Sequence, residues 1–234
     1  MQLLSDLQLI EKFFFMLLFA PDSSGKFTQP VRGNIWCQKE MFVLSKLVKG
    51  LEEETEFAAY AMGAFSDNVE EIEDQFCISG FAEKQADSIV LSFEGRKLAE
   101  SIWKNSTQDE RDIVSKVKSW LNDLPQYELL ALVHTLYSES AANSRVREEA
   151  DKHRPELAVS LLRKRKIELP LALRIAKMSH SQFTLFLQRK GYALADFETS
   201  SILVDKGLLD EIEKSRGDSS SGRLVSWETI RDNP

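Results

Sequence analysis

A mainly helical protein is what the sequence predicts, and three observations carry that reading. Apolar residues recur at helical spacing along most of the 234 residues. Capping patterns such as Thr107-Gln108-Asp109-Glu110, and closing glycines such as Gly50, Gly80 and Gly191, punctuate them. Only Ser88-Ile89-Val90-Leu91-Ser92 reads clearly as a strand.

The first helix is expected after Ser5, with Gln8 three residues on as a capping partner, and it ends at Phe19 before Pro21. Its run Phe13-Phe14-Phe15-Met16-Leu17-Leu18-Phe19-Ala20 reads as a buried helix. Eight apolar residues do not reach the roughly 20 that a membrane span needs, and acidic residues rather than a basic leader precede them. A second helix spans 34–49 with Ile35, Phe42, Leu44 and Leu47 on its core face. A third starts at Ser66 or Asp67, where Asp67 and Glu70 have capping-box spacing, and ends at Ser79. The β run then leads into a helix over 93–103, and further helices follow Thr107 and Pro125. Helices, a short β element and another helix in that order predict a winged-helix-like domain over residues 1–142, with 139–143 as a hinge.

Beyond the hinge, residues 143–214 read as a helical helix-turn-helix module. Pro155 stands at a helix start, Leu169-Pro170 turns the chain into a helix ending at Ala176, and Ser179 caps another that runs to Lys190. A further helix is expected over 200–214. Arg216-Gly217-Asp218-Ser219-Ser220-Ser221-Gly222 has the composition of a flexible linker, so residues 215–234 are read as linker and tail. Val225, Trp227 and Ile230 give that tail apolar anchors, which suit either a partner's groove or packing on the chain itself.

Charge separates these regions. The formal net charge is −7, yet Lys152 to Lys190 holds ten bases against two acids, a local +8 that leaves −15 on the rest. Residues 51–80 hold nine acids and no Lys or Arg. Nucleic-acid affinity comes largely from Lys and Arg at phosphates, so the helix-turn-helix is the segment suited to DNA. Arg163, Lys164, Arg165, Lys166, Arg174, Lys177 and Arg189 are candidate phosphate contacts. His180, Ser181, Gln182 and Gln188 are candidate readers of bases or phosphates. The alternative is a helical hairpin with a solvated basic face. In the N-terminal domain, Asp67, Glu70, Glu71, Glu73 and Asp74 repel phosphates, so a protein partner or plain solvation suits that helix better.

No catalytic, cofactor or metal pattern stands out. His134, His153 and His180 lie in separate stretches, Cys37 and Cys77 have no metal-site spacing, and phosphate-loop, dinucleotide and esterase motifs are missing. The expectation is a cytoplasmic, non-enzymatic protein without metal or cofactor and without membrane attachment.

Two resemblances add to this reading. Gly33-Asn34-Ile35-Trp36-Cys37-Gln38-Lys39-Glu40-Met41-Phe42, Tyr60-Ala61-Met62-Gly63-Ala64-Phe65-Ser66 and Leu91-Ser92-Phe93-Glu94-Gly95-Arg96 resemble prokaryotic winged-helix proteins that include the Panacea antitoxin domain. The usual proline of the second motif is missing here. Residues 155–192 are similar to a family of predicted prokaryotic antitoxins with a helix-turn-helix, except that Leu173 and Lys177 stand where a small residue and a glycine are usual. The segment Gly222-Arg223-Leu224-Val225-Ser226-Trp227-Glu228 resembles toxin-embracing tails. These resemblances imply an antitoxin-like regulator of transcription within a toxin-antitoxin system, with operator DNA and a toxin as partners. A two-fold dimer is the usual assembly for a single helix-turn-helix. The other reading is a protein-interaction adaptor that does not touch DNA.

Overall fold

The computed structural model describes residues 7–60, 62–138, 152–198, 207–212 and 214. The helix α1 (Leu9–Phe19) starts one turn later than the Ser5 expectation. Gln8 is its N-cap, and Glu11 closes the capping box by accepting from the Gln8 backbone N–H at 2.8 Å; Ser5 lies outside the described residues. Its run from Phe13 to Leu18 is fully buried, because the helix is wrapped on every side. The Phe14 and Phe15 rings meet Phe76 at 5.1 and 4.1 Å between centroids.

A turn over residues 22–26 and an isolated bridge from Val31 to Ile89 lead into α2 (Gly33–Leu47). This helix ends at Leu47 with Val48 as its C-cap, short of the expected Lys49, and Gly50, expected to close it, takes φ 83° as the N-cap of the short α3 (Leu51–Thr55). A hairpin follows, β1 (Ala58–Tyr60) with β2 (Gly63–Phe65), antiparallel with Ala59 opposite Ala64. It then feeds α4 (Asp67–Ile78), whose N-cap is Ser66, accepting from Val69 N, rather than Asp67. The second hairpin, β3 (Ala82–Gln85) with β4 (Ser88–Leu91), contains the β run expected from sequence. Then come α5 (Phe93–Asn105), α6 (Gln108–Leu121) and α7 (Gln126–Leu136). Thr107 and Glu110 form the expected capping box of α6. Neither α3 nor the β1–β2 hairpin was expected.

After residue 151 the chain continues as α8 (Arg154–Arg163), α9 (Leu169–Ala176), α10 (His180–Arg189) and the short α11 (Ala195–Glu198). Residues 207–212 form a helical segment that buries Leu208 and Ile212 in the same core. The fold is thus mainly helical with two small β hairpins, and no described helix is long and apolar enough to cross a membrane. The expected hinge at 139–143, the first part of the 200–214 helix, the 216–222 linker and the tail with Val225, Trp227 and Ile230 lie outside the described residues.

The residues singled out by the first resemblance interlock in this fold. Gln38 makes a reciprocal pair with the Ser66 backbone, donating to its carbonyl at 3.0 Å and accepting from its N–H at 2.9 Å. The Lys39 ammonium donates to Ala64 O at 2.6 Å, and Ser66 Oγ donates to Thr55 O. Gly63 takes φ 89°, and a Cβ there would stand 2.4 Å from His134 Nε2. Gly95 has an ordinary helical backbone but lies against the chain at Phe81, where a Cβ would come within 1.9 Å of the carbonyl oxygen. Gly95→Ala must therefore move α5 away from the second hairpin. Overpacking of this kind costs about 3 kcal/mol, to be read as a lower urea midpoint.

Glu40 is one of several polar residues in the core. It is fully buried, and neither carboxylate oxygen has a hydrogen-bond partner among the described residues. Lys118, also fully buried, donates to Leu18 O and Gln29 O rather than to Glu40. Burial pushes the Glu40 carboxyl well above its usual 4.5, only partly offset by the field of Lys118. An acid whose folded pKa is raised binds a proton more tightly when folded, so its contribution to stability falls as pH rises above 4.5. Glu40→Gln keeps the shape without the titration. Its stability gain over the parent should widen by up to about 1.4 kcal/mol per pH unit above that value, measured by denaturation across a pH series. A constant offset would contradict an unrelieved buried acid.

Candidate nucleic-acid interface

Helices α8, α9 and α10 form a compact trio, with α9 and α10 joined by residues 177–179. Ala172, Ile175, Phe183 and Leu187 have no exposed surface, and Leu171 and Ala176 are buried with them. Met178, Leu173 and Phe186 are half-buried at the rim. The start of α10 is fixed by a complete capping box. Gln182 N–H donates to Ser179 Oγ at 3.3 Å, and Ser179 N–H donates to Gln182 Oε1 at 2.9 Å. This leaves the Gln182 amide nitrogen as the part of that side chain able to reach outward.

All eleven candidate residues of the module are described, and the structure divides them. His180, Ser181, Gln182, Gln188 and Arg189 are exposed on α10, with Leu185 among them at 55% exposure. Arg174 and Lys177 are exposed at the end of α9 and in the turn. Arg165 is exposed after α8, and Arg163 lies over the Tyr192 ring at 5.5 Å while donating to its hydroxyl at 3.1 Å.

Lys164 and Lys166 point the other way. The Lys164 ammonium holds both oxygens of Glu128 on α7, at 2.9 and 2.8 Å, and Ser160 Oγ donates to the same carboxylate at 2.8 Å. Lys166 is 8% exposed; its ammonium donates to Ser119 O at 2.7 Å and pairs with Asp123 at 2.8 Å. Trp120 Nε1 donates back to Lys166 O at 2.8 Å. These two lysines clamp the trio onto α6 and α7. Counting Glu128 and Asp123 with the local +8 gives 8 − 2 = +6 for the module and its two clamping acids together. Arg154 is likewise turned inward, donating to Ile175 O at 3.2 Å, and Lys190 pairs with Glu156 at 3.3 Å.

The acidic helix α4 is equally divided. Glu73 is buried and ion-paired with Lys84 at 2.9 Å, whereas Asp67, Glu71 and Asp74 are exposed. Among the described residues no group of His, Cys, Asp and Glu is arranged to hold a metal ion. The chain matches no protein-family model, no curated protein and no solved structure.

The turn between α9 and α10 carries a backbone cost. Lys177 has φ 53° and ψ 40°, and it closes α9 with bonds from Lys177 N to Arg174 O and from Met178 N to Leu173 O. A left-handed conformation costs an ordinary residue about 1 kcal/mol relative to glycine. Lys177→Gly should accordingly stabilise the chain by about 1 kcal/mol in equilibrium unfolding. A loss of stability would mean that the lysine side chain contributes more than its backbone costs.

Proposed function

We propose that the chain is a DNA-binding regulator of the antitoxin type, which docks on duplex DNA through the α9-turn-α10 unit. The observation that carries this reading is the surface of α10 and its preceding turn. A short turn sets α10 on a closed apolar base, and the outward side presents amide, hydroxyl and imidazole groups flanked by Arg174, Lys177 and Arg189. In a helix-turn-helix the second helix lies in the major groove, where such groups meet base edges, while flanking cations meet phosphates. Lys164 and Lys166 do not take part; they hold the unit in place.

The N-terminal part takes the role of a winged-helix scaffold. The order α1, the Val31 bridge, α2, α4 and the β3–β4 hairpin, with Val31 against Ile89 beside that hairpin, supports it. The acids exposed on α4 direct that element to a protein partner rather than to DNA. In the antitoxin reading a toxin is the partner, and Val225, Trp227 and Ile230 hold it in a cytoplasmic complex. Co-purification of such a partner, lost on deleting residues 218–234, tests that arm.

A non-enzymatic adaptor is the second reading. Leu185 favours it, since an exposed leucine in the middle of the α10 face suits an apolar protein surface better than a polar groove. Binding of the full chain to a short duplex, followed by fluorescence anisotropy against salt, separates the two. Five exposed cations, Arg163, Arg165, Arg174, Lys177 and Arg189, predict a log–log slope of about −4.5 when all meet phosphates. Arg174→Glu with Lys177→Glu should weaken binding by tenfold or more, on the order of 1.4 kcal/mol, in a protein that still melts cooperatively. Binding that survives this double reversal with the same slope would overturn docking through the α9-turn-α10 unit, and absence of duplex binding by the parent chain would favour the adaptor.

A further inference from the structure

Away from the basic trio, a cleft of about 570 Å³ opens between the start of α2 and the second hairpin. Its volume falls within the few hundred to a thousand Å³ of small-molecule sites. Three features of its wall point to one ligand chemistry.

The first is the N-terminus of α2, a helix of 15 residues whose N-cap, Arg32, makes no side-chain capping bond. Gly33, Asn34 and Ile35 line the cleft at this end; the N–H groups of Arg32 and Gly33 donate to Asn122 Oδ1 and Val31 O, while those of Asn34 and Ile35 lack intrahelical acceptors and the helix dipole favours an anion. The second is Arg32 itself. Its guanidinium stacks 4.8 Å from the Trp36 ring centroid and donates to Leu124 O at 3.1 Å, and no carboxylate among the described residues pairs with it.

The third is opposite in sign. Glu73 also lines the cleft with its side chain only 3% exposed; Lys84 holds Oε1 at 2.9 Å, and Oε2 has no hydrogen-bond partner among the described residues. Burial, moreover, raises the Glu73 carboxyl above its usual range despite Lys84, as expected where negative charge is incompletely compensated. Asp87 adds a second carboxylate from the hairpin turn. One end of the wall thus favours an anion, and the other sets the carboxylates of Glu73 and Asp87 against the one ammonium of Lys84, which Asp74 also shares, and retains an unused acceptor.

We propose that this cleft binds a small zwitterion of the amino-acid class, its carboxylate on the first turn of α2 beside Arg32 and its ammonium group towards Glu73. Trp36, Ile35 and Ile89 offer apolar wall for the rest of the molecule. A simple dianion is disfavoured by Glu73 and Asp87, and a simple cation by Arg32 and the helix dipole. The site does not depend on the DNA-binding reading, because it shares no residue with the α9-turn-α10 unit.

The test is thermal shift and calorimetry of the full chain with a panel of free L-amino acids, each paired with its methyl ester and its N-acetyl derivative. The expected result is that at least one free amino acid binds tenfold or more tightly than both derivatives, and that Glu73→Gln and Arg32→Gln each weaken it by a similar factor. Absence of binding across the panel would overturn the proposal. So would derivatives that bind as well as the parent, or a folded Glu73→Gln protein with unchanged affinity. The derivative comparison uses the unmodified chain, so it stands even if a variant fails to fold.

Discussion

The grip of α2 on residues 64–66 is the constraint on which the N-terminal architecture depends. Strand β2 and the start of α4 present backbone N–H and C=O groups to a buried seam, where water cannot satisfy them. Gln38 supplies one acceptor and one donor in register with Ser66, and Lys39 supplies a charged donor to Ala64 O. Leaving either side of such a pair unmet in the interior costs about 1–3 kcal/mol. Burial draws the Lys39 ammonium down to about 8, so it stays mostly protonated at neutral pH and keeps donating. Ser66 then does two things from one position. It caps α4 and ties back to Thr55 at the end of α3, so the direction of α4 follows from the seam rather than from its own sequence.

A second seam joins the basic trio to the rest, and it is made from charges that a local reading assigns to the surface. Lys164 and Lys166 lie two residues apart after α8, with Arg165 between them in a left-handed conformation, φ 56°. That single backbone departure splits the run. Its neighbours turn towards Glu128 and Asp123, while Arg165 itself faces solvent. Lys166 belongs to the joint as much as Trp120 does, since each donates to a backbone carbonyl of the other's segment. A +8 segment therefore does not present eight positive charges to a partner.

The all-round apolar character of α1, the Thr107 and Ser179 caps and the closing Gly191 are short-range signals that sit where their chemistry requires, whereas Gly50, expected to close α2, starts α3 instead. The β1–β2 hairpin was not legible, because Ala58-Ala59-Tyr60 and Gly63-Ala64-Phe65 carry almost no β-branched residues. Their pairing is held by Gln38 and Lys39, about 25 residues away in sequence. Short α3 was hidden for a related reason. Glu52-Glu53-Glu54 reads as a solvated charge run, yet Leu51 and Thr55 on either side are buried. The partners of Lys164 and Lys166 lie 36 and 43 residues upstream, so a sliding charge count cannot find them.

The helix ends of the trio bear on whether its surface is adapted to a task. All three helices finish with the same paired backbone bonds, Lys166 N to Leu161 O after α8, Met178 N to Leu173 O after α9 and Tyr192 N to Leu187 O after α10. Each closure needs one left-handed residue. After α10 it is Gly191, at φ 81°, the residue with no steric penalty there. After α8 and α9 it is Arg165 and Lys177, each bearing a penalty of about 1 kcal/mol. Helix closure alone would be served better by glycine at all three. Left-handed positions hold a side chain at a well-defined exit from the helix axis, and the two that carry strain both place a cation at the edge of the trio. Backbone strain retained at particular residues is a reason to look for what their side chains do, and here it singles out the two turns of the trio, Arg165 before α9 and Lys177 between α9 and α10.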